Sequence, residues 1–262
     1  MPRVRTSDIP LRYEEAGRGQ PVLLVMGLAG SLEWWGPEIR DALARRFRVI
    51  VFDNRGAGLS DRPPGPYSIA QMADDTVGLM DALKIPHAHI VGYSMGGMIA
   101  QEVALRHPKR VDRLLLAATS PGGILSAPPK LRALRVFRQG RDPDQAREVL
   151  LTTLFPRAFI ESHREWTQKL SQDLARHQTD EASARRQFWA ILRWSAWRRL
   201  PQIQAPTVVA HGTDDILLPV RNAYILTRRI PRSRLRLFPG GGHGFGLQFP
   251  GEVAGEIDSF LR

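Results

Sequence analysis

Short, unbroken apolar runs separated by amphipathic stretches recur along the chain and leave few architectures open. The runs are PVLLVMG (21–27), RVIVFD (48–53), AHIVGY (88–93), RLLLAAT (113–119), PTVVAHG (206–212) and LRLFPG (235–240). A strand with one wet face alternates apolar and polar residues. A continuous run is covered on both faces, as in a parallel sheet flanked by helices. The segments between, such as SIAQMADDTVGLMDALKI, MGGMIAQEVALRH and the terminal PGEVAGEIDSFLR, carry helical apolar spacing. Strand and helix in this alternation predict an α/β fold with a mostly parallel, doubly wound sheet. The opening RVRTSDIPLRYEEAG reads as a pair of edge strands.

The rhythm stops after the sixth strand. SPGGILSAPPK makes a Pro- and Gly-rich exit, and the seventy or so residues beyond it have helical spacing without a strand run. We expect residues 121–200 to form a helical cap inserted into a core made of residues 1–120 and 201–262. Such an insertion lies most simply over the carboxyl edge of the sheet, where α/β folds bind ligands. The block holds four of the six tryptophans, Trp166, Trp189, Trp194 and Trp197, and 15 Lys+Arg against 8 Asp+Glu.

Composition narrows the function classes. Without cysteine there is no disulfide, no thiolate metal site and no cysteine nucleophile. No segment approaches the roughly 18 uninterrupted apolar residues of a membrane span. MPRVRTSDIP lacks the apolar region of a secretory signal, so a cytoplasmic location is expected. The formal charge is +11, but lysine stands only at 84, 109, 130 and 169, and the arginines are scattered singly or in pairs with acids near them. That pattern is a solvated surface rather than a nucleic-acid footprint.

The chemistry centres on GYSMG (92–96), a G-x-S-x-G sequence between a buried strand and an amphipathic helix. In that setting the serine sits on a sharp turn, and the helix N-terminus behind it favours developing negative charge. A serine hydroxyl needs a base to become a nucleophile. Of seven histidines, His243 in PGGGHGFGLQFP comes after the last strand in a glycine-rich loop that can bring an imidazole over the sheet edge. His107 ends a helix, His87 and His89 enter a strand, His163 and His177 lie in the inserted block, and His211 reads as a packing or hydrogen-bonding residue. The base needs a carboxylate partner, and HGTDDILLP offers Asp214 and Asp215 in the chain order Ser…Asp…His. Neighbouring residues point different ways, and the spacing to Gly212 and Pro219 favours Asp215. The oxyanion needs two backbone N–H donors: that of Met95 after the serine, and that of Leu28 in the loop MGLAGS.

Together these segments resemble the α/β-hydrolase superfamily over essentially the whole chain. DNRGAGLSDRP (53–63) is similar to its D-x-R-G-x-G-x-S-D turn after the fourth strand, GYSMGG to its nucleophile elbow, GTDDILLP to its acid loop and GGGHGF to its base loop. The closest resemblance is to capped, cofactor-free carboxylesterases, methylesterases and 3-oxoadipate enol-lactonases. One departure is Met26-Gly27, where many members have His-Gly. The resemblance implies the α/β-hydrolase fold, no cofactor or metal, an acid at Asp215, and a Ser94–Asp215–His243 triad. It also implies cleavage of a small-molecule ester through an acyl-enzyme.

Small to medium apolar esters are the expected substrates, with Trp189 and Trp194 as candidate pocket residues. Trp189 and Trp197, eight residues apart, would share a helix face, with Trp194 off it. The alternatives are a lactonase or carbon–carbon bond hydrolase with the same triad, or a ligand receptor on this fold.

Overall fold

A computed structural model describes residues 3–6, 8–137, 142–175 and 179–262, and His177 lies outside them. In chain order, β1 (Arg3–Arg5), β2 (Pro10–Ala16), β3 (Pro21–Val25), α1 (Gly36–Ala44), β4 (Arg48–Phe52), α2 (Ile69–Ala82), β5 (Ala88–Tyr93), α3 (Met95–Arg106) and β6 (Val111–Ala117) form the first part. Next come α4 (Pro143–Leu154), α5 (Arg157–Ser162), α6 (Arg164–Ala175) and α7 (Glu181–Leu192). The chain then closes with β7 (Thr207–Gly212), α8 (Arg221–Arg229), β8 (Ser233–Phe238), α9 (Phe245–Gln248) and α10 (Pro250–Leu261).

The strands form one 8-stranded sheet in the order β1-β2-β4-β3-β5-β6-β7-β8. The two N-terminal strands pair antiparallel, β2 pairs antiparallel with β4, and every other pairing is parallel. The unbroken apolar runs are explained by what covers the sheet. Leu23, Val25, Ile50, Phe52, Ile90, Leu114 and Val209 face a core with Met72 of α2, Ile99 of α3 and Leu226 of α8. Their neighbours Val22, Leu24, Val49, Val51, Val91, Leu115 and Val208 face a second core with Leu43 of α1 and Ile257 of α10. Side chains alternate sides along a strand, so a sheet covered on both faces needs an apolar residue at every position.

Among the described residues between β6 and β7 there is no named strand, only helices. An isolated bridge, Gly122 to Ser195, joins the two ends of this insertion. Asp180 caps α7 by accepting from the Ser183 amide at 2.9 Å. The helix stops at Leu192, so Trp197 is not on it and shares no helical face with Trp189. Glu102 of α3 ties the end of the insertion to the core. Its carboxylate accepts from Trp194 Nε1 at 2.8 Å and from Arg199 at 3.0 and 2.8 Å.

The turn after β4 is built on its own polar side chains. The buried Asp53 carboxylate accepts from the amides of Leu32 at 2.7 Å and Leu59 at 2.8 Å. Asn54 donates to the carbonyl of Met26 at 2.8 Å. Gly58 stands at φ 48°, and a Cβ there would meet Asp53 Oδ2 at 2.2 Å. The turn therefore grips the loop after β3.

Candidate active site

Ser94 joins β5 to α3 with φ 56° and ψ −119°, a region that L-residues avoid unless their surroundings enforce it. The enforcement is close packing. A Cβ on Gly92 would stand 2.4 Å from the Gly96 carbonyl oxygen, and one on Gly96 would stand 2.0 Å from that of Val25. The start of α3 thus packs directly on β3 and β5, and the Ser94 amide donates to Ala117 O of β6 at 2.9 Å.

The structure brings Ser94, His243 and Asp215 together at the carboxyl ends of β5, β8 and β7. Ser94 Oγ lies 3.1 Å from His243 Nε2, and His243 Nδ1 lies 2.8 Å from Asp215 Oδ2. Asp215 is fully buried, and its Oδ1 accepts from the amides of Leu217 and Leu218, each at 2.8 Å. Burial works against its ionisation. The charge of His243, with hydrogen bonds from His211 and His243, outweighs burial and holds the carboxyl well below the usual carboxylate range. An ionised Asp215 makes Nδ1 the protonated nitrogen of neutral His243 and leaves Nε2 to accept from the Ser94 hydroxyl. Asp214 points elsewhere: it is exposed and accepts from Thr213 at 3.0 Å.

Neighbouring groups hold the base loop. Tyr93 OH donates to the His243 carbonyl at 2.5 Å, and the Gly244 amide donates to Leu154 O, at the end of α4, at 2.8 Å. A Cβ on Gly242 would meet that same Leu154 oxygen at 2.3 Å. His211 is fully buried; its Nε2 lies 2.7 Å from Leu218 O and 3.3 Å from Asp215 Oδ2, so it donates there. The other described histidines lie away from this cluster: His87 bonds Asp112, His89 meets the Phe47 ring edge-on, His107 bonds Asp74, and His163 bonds Ser162 and stacks on Phe159.

Met95 is the first residue of α3, so its N–H is one of the first-turn amides with no intrahelical acceptor. Across from it, Gly27 packs so closely that a Cβ would lie 2.9 Å from Ser94 Cβ. The Gly27 carbonyl accepts from the Gly30 amide at 3.2 Å. In a trans peptide the Leu28 N–H points opposite to that carbonyl. A cavity of about 830 Å³ opens over Ser94 and His243, lined largely by apolar side chains that include Leu28, Leu150, Leu154, Phe188 and Leu217.

The alpha/beta hydrolase fold family matches residues 20–250. The chain belongs to this family, and it is a hydrolase. It is 31% identical over 252 residues to RutD of Azorhizobium caulinodans, a carbamate hydrolase by provisional name, covering 95% of this chain and 94% of that one. Among solved structures, the enol-lactonase of Burkholderia xenovorans LB400 superposes with TM-score 0.86 at 25% identity, covering 99% of each chain. A thermophilic esterase of Thermogutta terrifontis, solved with malate, gives TM-score 0.84 at 29% identity, covering 99% of this chain and 97% of that one.

The tryptophans that line this hydrolase's cavity are Trp34 and Trp35, which precede and open α1, and not Trp189 or Trp194. Trp189 is 49% exposed beneath the Arg193 guanidinium, on the outer side of α7. Trp194 lies beyond the end of α7 and is buried against Glu102 of α3. An indole serves a packing site or an outer face as readily as a pocket, and helical spacing does not distinguish them. Gln187, Thr179 and Asn54 hold the loop after β3 and carried no sequence signal of their own beyond Asn54's place in DNRG.

Proposed function

We propose that this hydrolase cleaves small to medium, largely apolar carboxylic esters through an acyl-enzyme on Ser94, with residues 121–200 as its cap. The reading rests on one observation: Ser94 Oγ, 3.1 Å from a histidine backed by a buried carboxylate, opens into an apolar cavity of about 830 Å³. Such a cavity accommodates a ligand of this size.

In the first half-reaction Ser94 Oγ bonds to the ester carbonyl carbon while its proton passes to His243 Nε2. The carbonyl electron pair moves onto oxygen, and the Leu28 and Met95 amides receive that oxyanion. Asp215 stabilises the imidazolium without taking the proton. Collapse breaks the bond to the alkoxide, which leaves with the proton of Nε2. Water then repeats the sequence: its proton goes to Nε2, its oxygen bonds the acyl carbon, and Ser94 leaves and is reprotonated.

A lactone is the second reading, carried by Arg147 of α4 and Arg185 of α7 at the cavity wall, which also holds Glu181 and Glu256. Cationic side chains there suit a ring ester that carries or releases a carboxylate. The chemistry is unchanged, except that the alkoxide stays tethered to the acyl group.

The test is a panel of p-nitrophenyl acetate, butyrate and octanoate beside γ- and δ-lactones, run on the wild type and on Ser94→Ala. Ester turnover that falls by about 10⁴-fold or more in Ser94→Ala is the expected result. Turnover that survives the substitution overturns the mechanism, and lactone opening much faster than ester cleavage replaces the substrate.

A further inference from the structure

The loop that presents the Leu28 amide contains a strained residue, and its supports come from the insertion. Gly27–Gly30 is a turn closed by the Gly30 N–H to Gly27 O bond at 3.2 Å. Ala29, at its third position, has φ 57°, where glycine or asparagine is the usual occupant. Both backbone polar groups of Ala29 are taken by residues far along the chain. Its N–H donates to Gln187 Oε1 at 2.8 Å, and its carbonyl accepts from Thr179 Oγ1 at 2.9 Å.

Gln187 has no freedom to do otherwise. It is fully buried on α7, and its Nε2 donates to Arg55 O at 2.8 Å in the turn after β4. Because one end of the amide faces an N–H and the other a carbonyl, its orientation is determined by its partners. Thr179 adds a second link to the same turn by accepting from the Gly58 amide at 3.4 Å. One buried amide therefore spans three segments: the insertion, the turn at Arg55 and the loop beside Ser94.

We propose that Gln187, assisted by Thr179, is a positioning residue that holds Ala29 in its left-handed conformation and so keeps the Leu28 N–H aimed at the reacting oxygen. Without these bonds the turn relaxes toward a form with negative φ at Ala29. That change rotates the Leu28–Ala29 peptide and displaces the donor on the other side of Leu28. The insertion thus does more than enclose substrate: two of its side chains, Gln187 and Thr179, hold the loop that presents the Leu28 amide. This inference rests on the ester-hydrolase reading, in which Leu28 serves as an oxyanion donor.

The experiment compares the wild type with Gln187→Met, which keeps the side-chain volume, and Thr179→Val. Trp194→Phe is the control, since it loosens the insertion at Glu102 without touching the loop. Three quantities are read: kcat and KM for p-nitrophenyl butyrate, affinity for a trifluoromethyl ketone that adds to a serine hydroxyl as a tetrahedral oxyanion, and amide hydrogen exchange of the segment 26–32. In Gln187→Met, kcat falls about 10- to 100-fold, KM stays within about threefold, and the ketone weakens by the same factor as kcat. Exchange in 26–32 accelerates, and Thr179→Val shows the same pattern at smaller size. Trp194→Phe lowers stability and leaves all three unchanged. Wild-type kcat and exchange in a folded Gln187→Met overturn the proposal, as does a kcat loss that Trp194→Phe reproduces. If wild type cleaves no ester, the ester reading fails by itself, and the exchange measurement still decides whether Gln187 holds the loop.

Discussion

Asp215 Oδ2 meets His243 Nδ1 at 2.8 Å, and the other carboxylate oxygen is already occupied by the amides of Leu217 and Leu218. The carboxylate is thereby held against Nδ1, and only one tautomer of the neutral histidine fits. Asn at 215 would present an NH₂ or a neutral oxygen to a ring nitrogen that must carry a proton. Asp215→Asn should therefore lower kcat by about 10⁴-fold. Asp214→Asn touches only an exposed contact with Thr213 and should stay within about threefold of wild type. Steady-state kinetics on both variants check this, and a larger loss at Asp214 would reverse the assignment.

The same carboxylate makes stability depend on acid. Despite burial, the positive charge of His243 and the hydrogen bonds from His211 and His243 hold Asp215 below the usual range in the folded protein. In the unfolded chain it titrates near the ordinary value of about 3.9. A depressed folded value means that its stabilisation is complete above that pH and is lost as pH falls toward the folded value. The stability gap between wild type and Asp215→Asn is taken at pH 5, where the carboxylate is largely ionised in the folded and the unfolded chain alike. Below about pH 4 it should shrink by up to about 1.4 kcal/mol per pH unit. Urea midpoints from pH 5 to 3 measure it, and a gap that is the same at pH 3 and pH 5 contradicts it.

The elbow permits no side chain at its glycines. A Cβ at 92 would sit 2.4 Å from the Gly96 oxygen and 2.7 Å from Gly97 Cα, both backbone atoms with nowhere to go. Gly92→Ala must push α3 away from β5, and Ser94 moves with it. A shift of about 1 Å at a nucleophile can cost on the order of 100-fold in rate. The expected outcome is either insoluble protein or a folded protein with at least that loss. Gly251→Ala, where an added Cβ meets nothing within 4 Å, is the matched control and should be silent.

The sheet and the serine site were legible in the sequence for a physical reason, and the pocket was not for another. Leu23 and Leu24 point to opposite cores, so a two-sided burial prints itself as an unbroken run. Ser94, Asp215 and His243 each come after a strand in a loop whose glycines mark close backbone approach, and that punctuation survives in one dimension. The insertion offers no such marks. Apolar spacing tells which residues of α7 share a face but not what that face meets. Trp189 faces outward and Trp194 packs on Glu102, while Trp34, ahead of α1, reaches the cavity. Gln187 reads as one more polar residue in a polar helix, because its partners Ala29 and Arg55 come near it only through the fold.

Glu102 makes the attachment of the insertion measurable. Its carboxylate is nearly fully buried, which alone would raise its pKa. Arg199 and Trp194 lower it by hydrogen bonding, and the charges of Arg199 and Arg106 add to this. Removing the carboxylate in Glu102→Ala orphans the buried Trp194 N–H, while Arg199, about a third exposed, can turn to water. The loss should be about 3 kcal/mol in urea unfolding. Trp194→Phe deletes one bond to a charged acceptor and should cost about 1.5 to 3 kcal/mol. Because the two side chains share that bond, the double variant should be more stable than the sum predicts by about 1 to 2 kcal/mol. Additive losses would mean that the Trp194–Glu102 contact carries no energy. In that case the insertion is held to the core by other contacts, among them those of Gln187, Thr179 and Leu154 around the site and of Ala127 with Asn222.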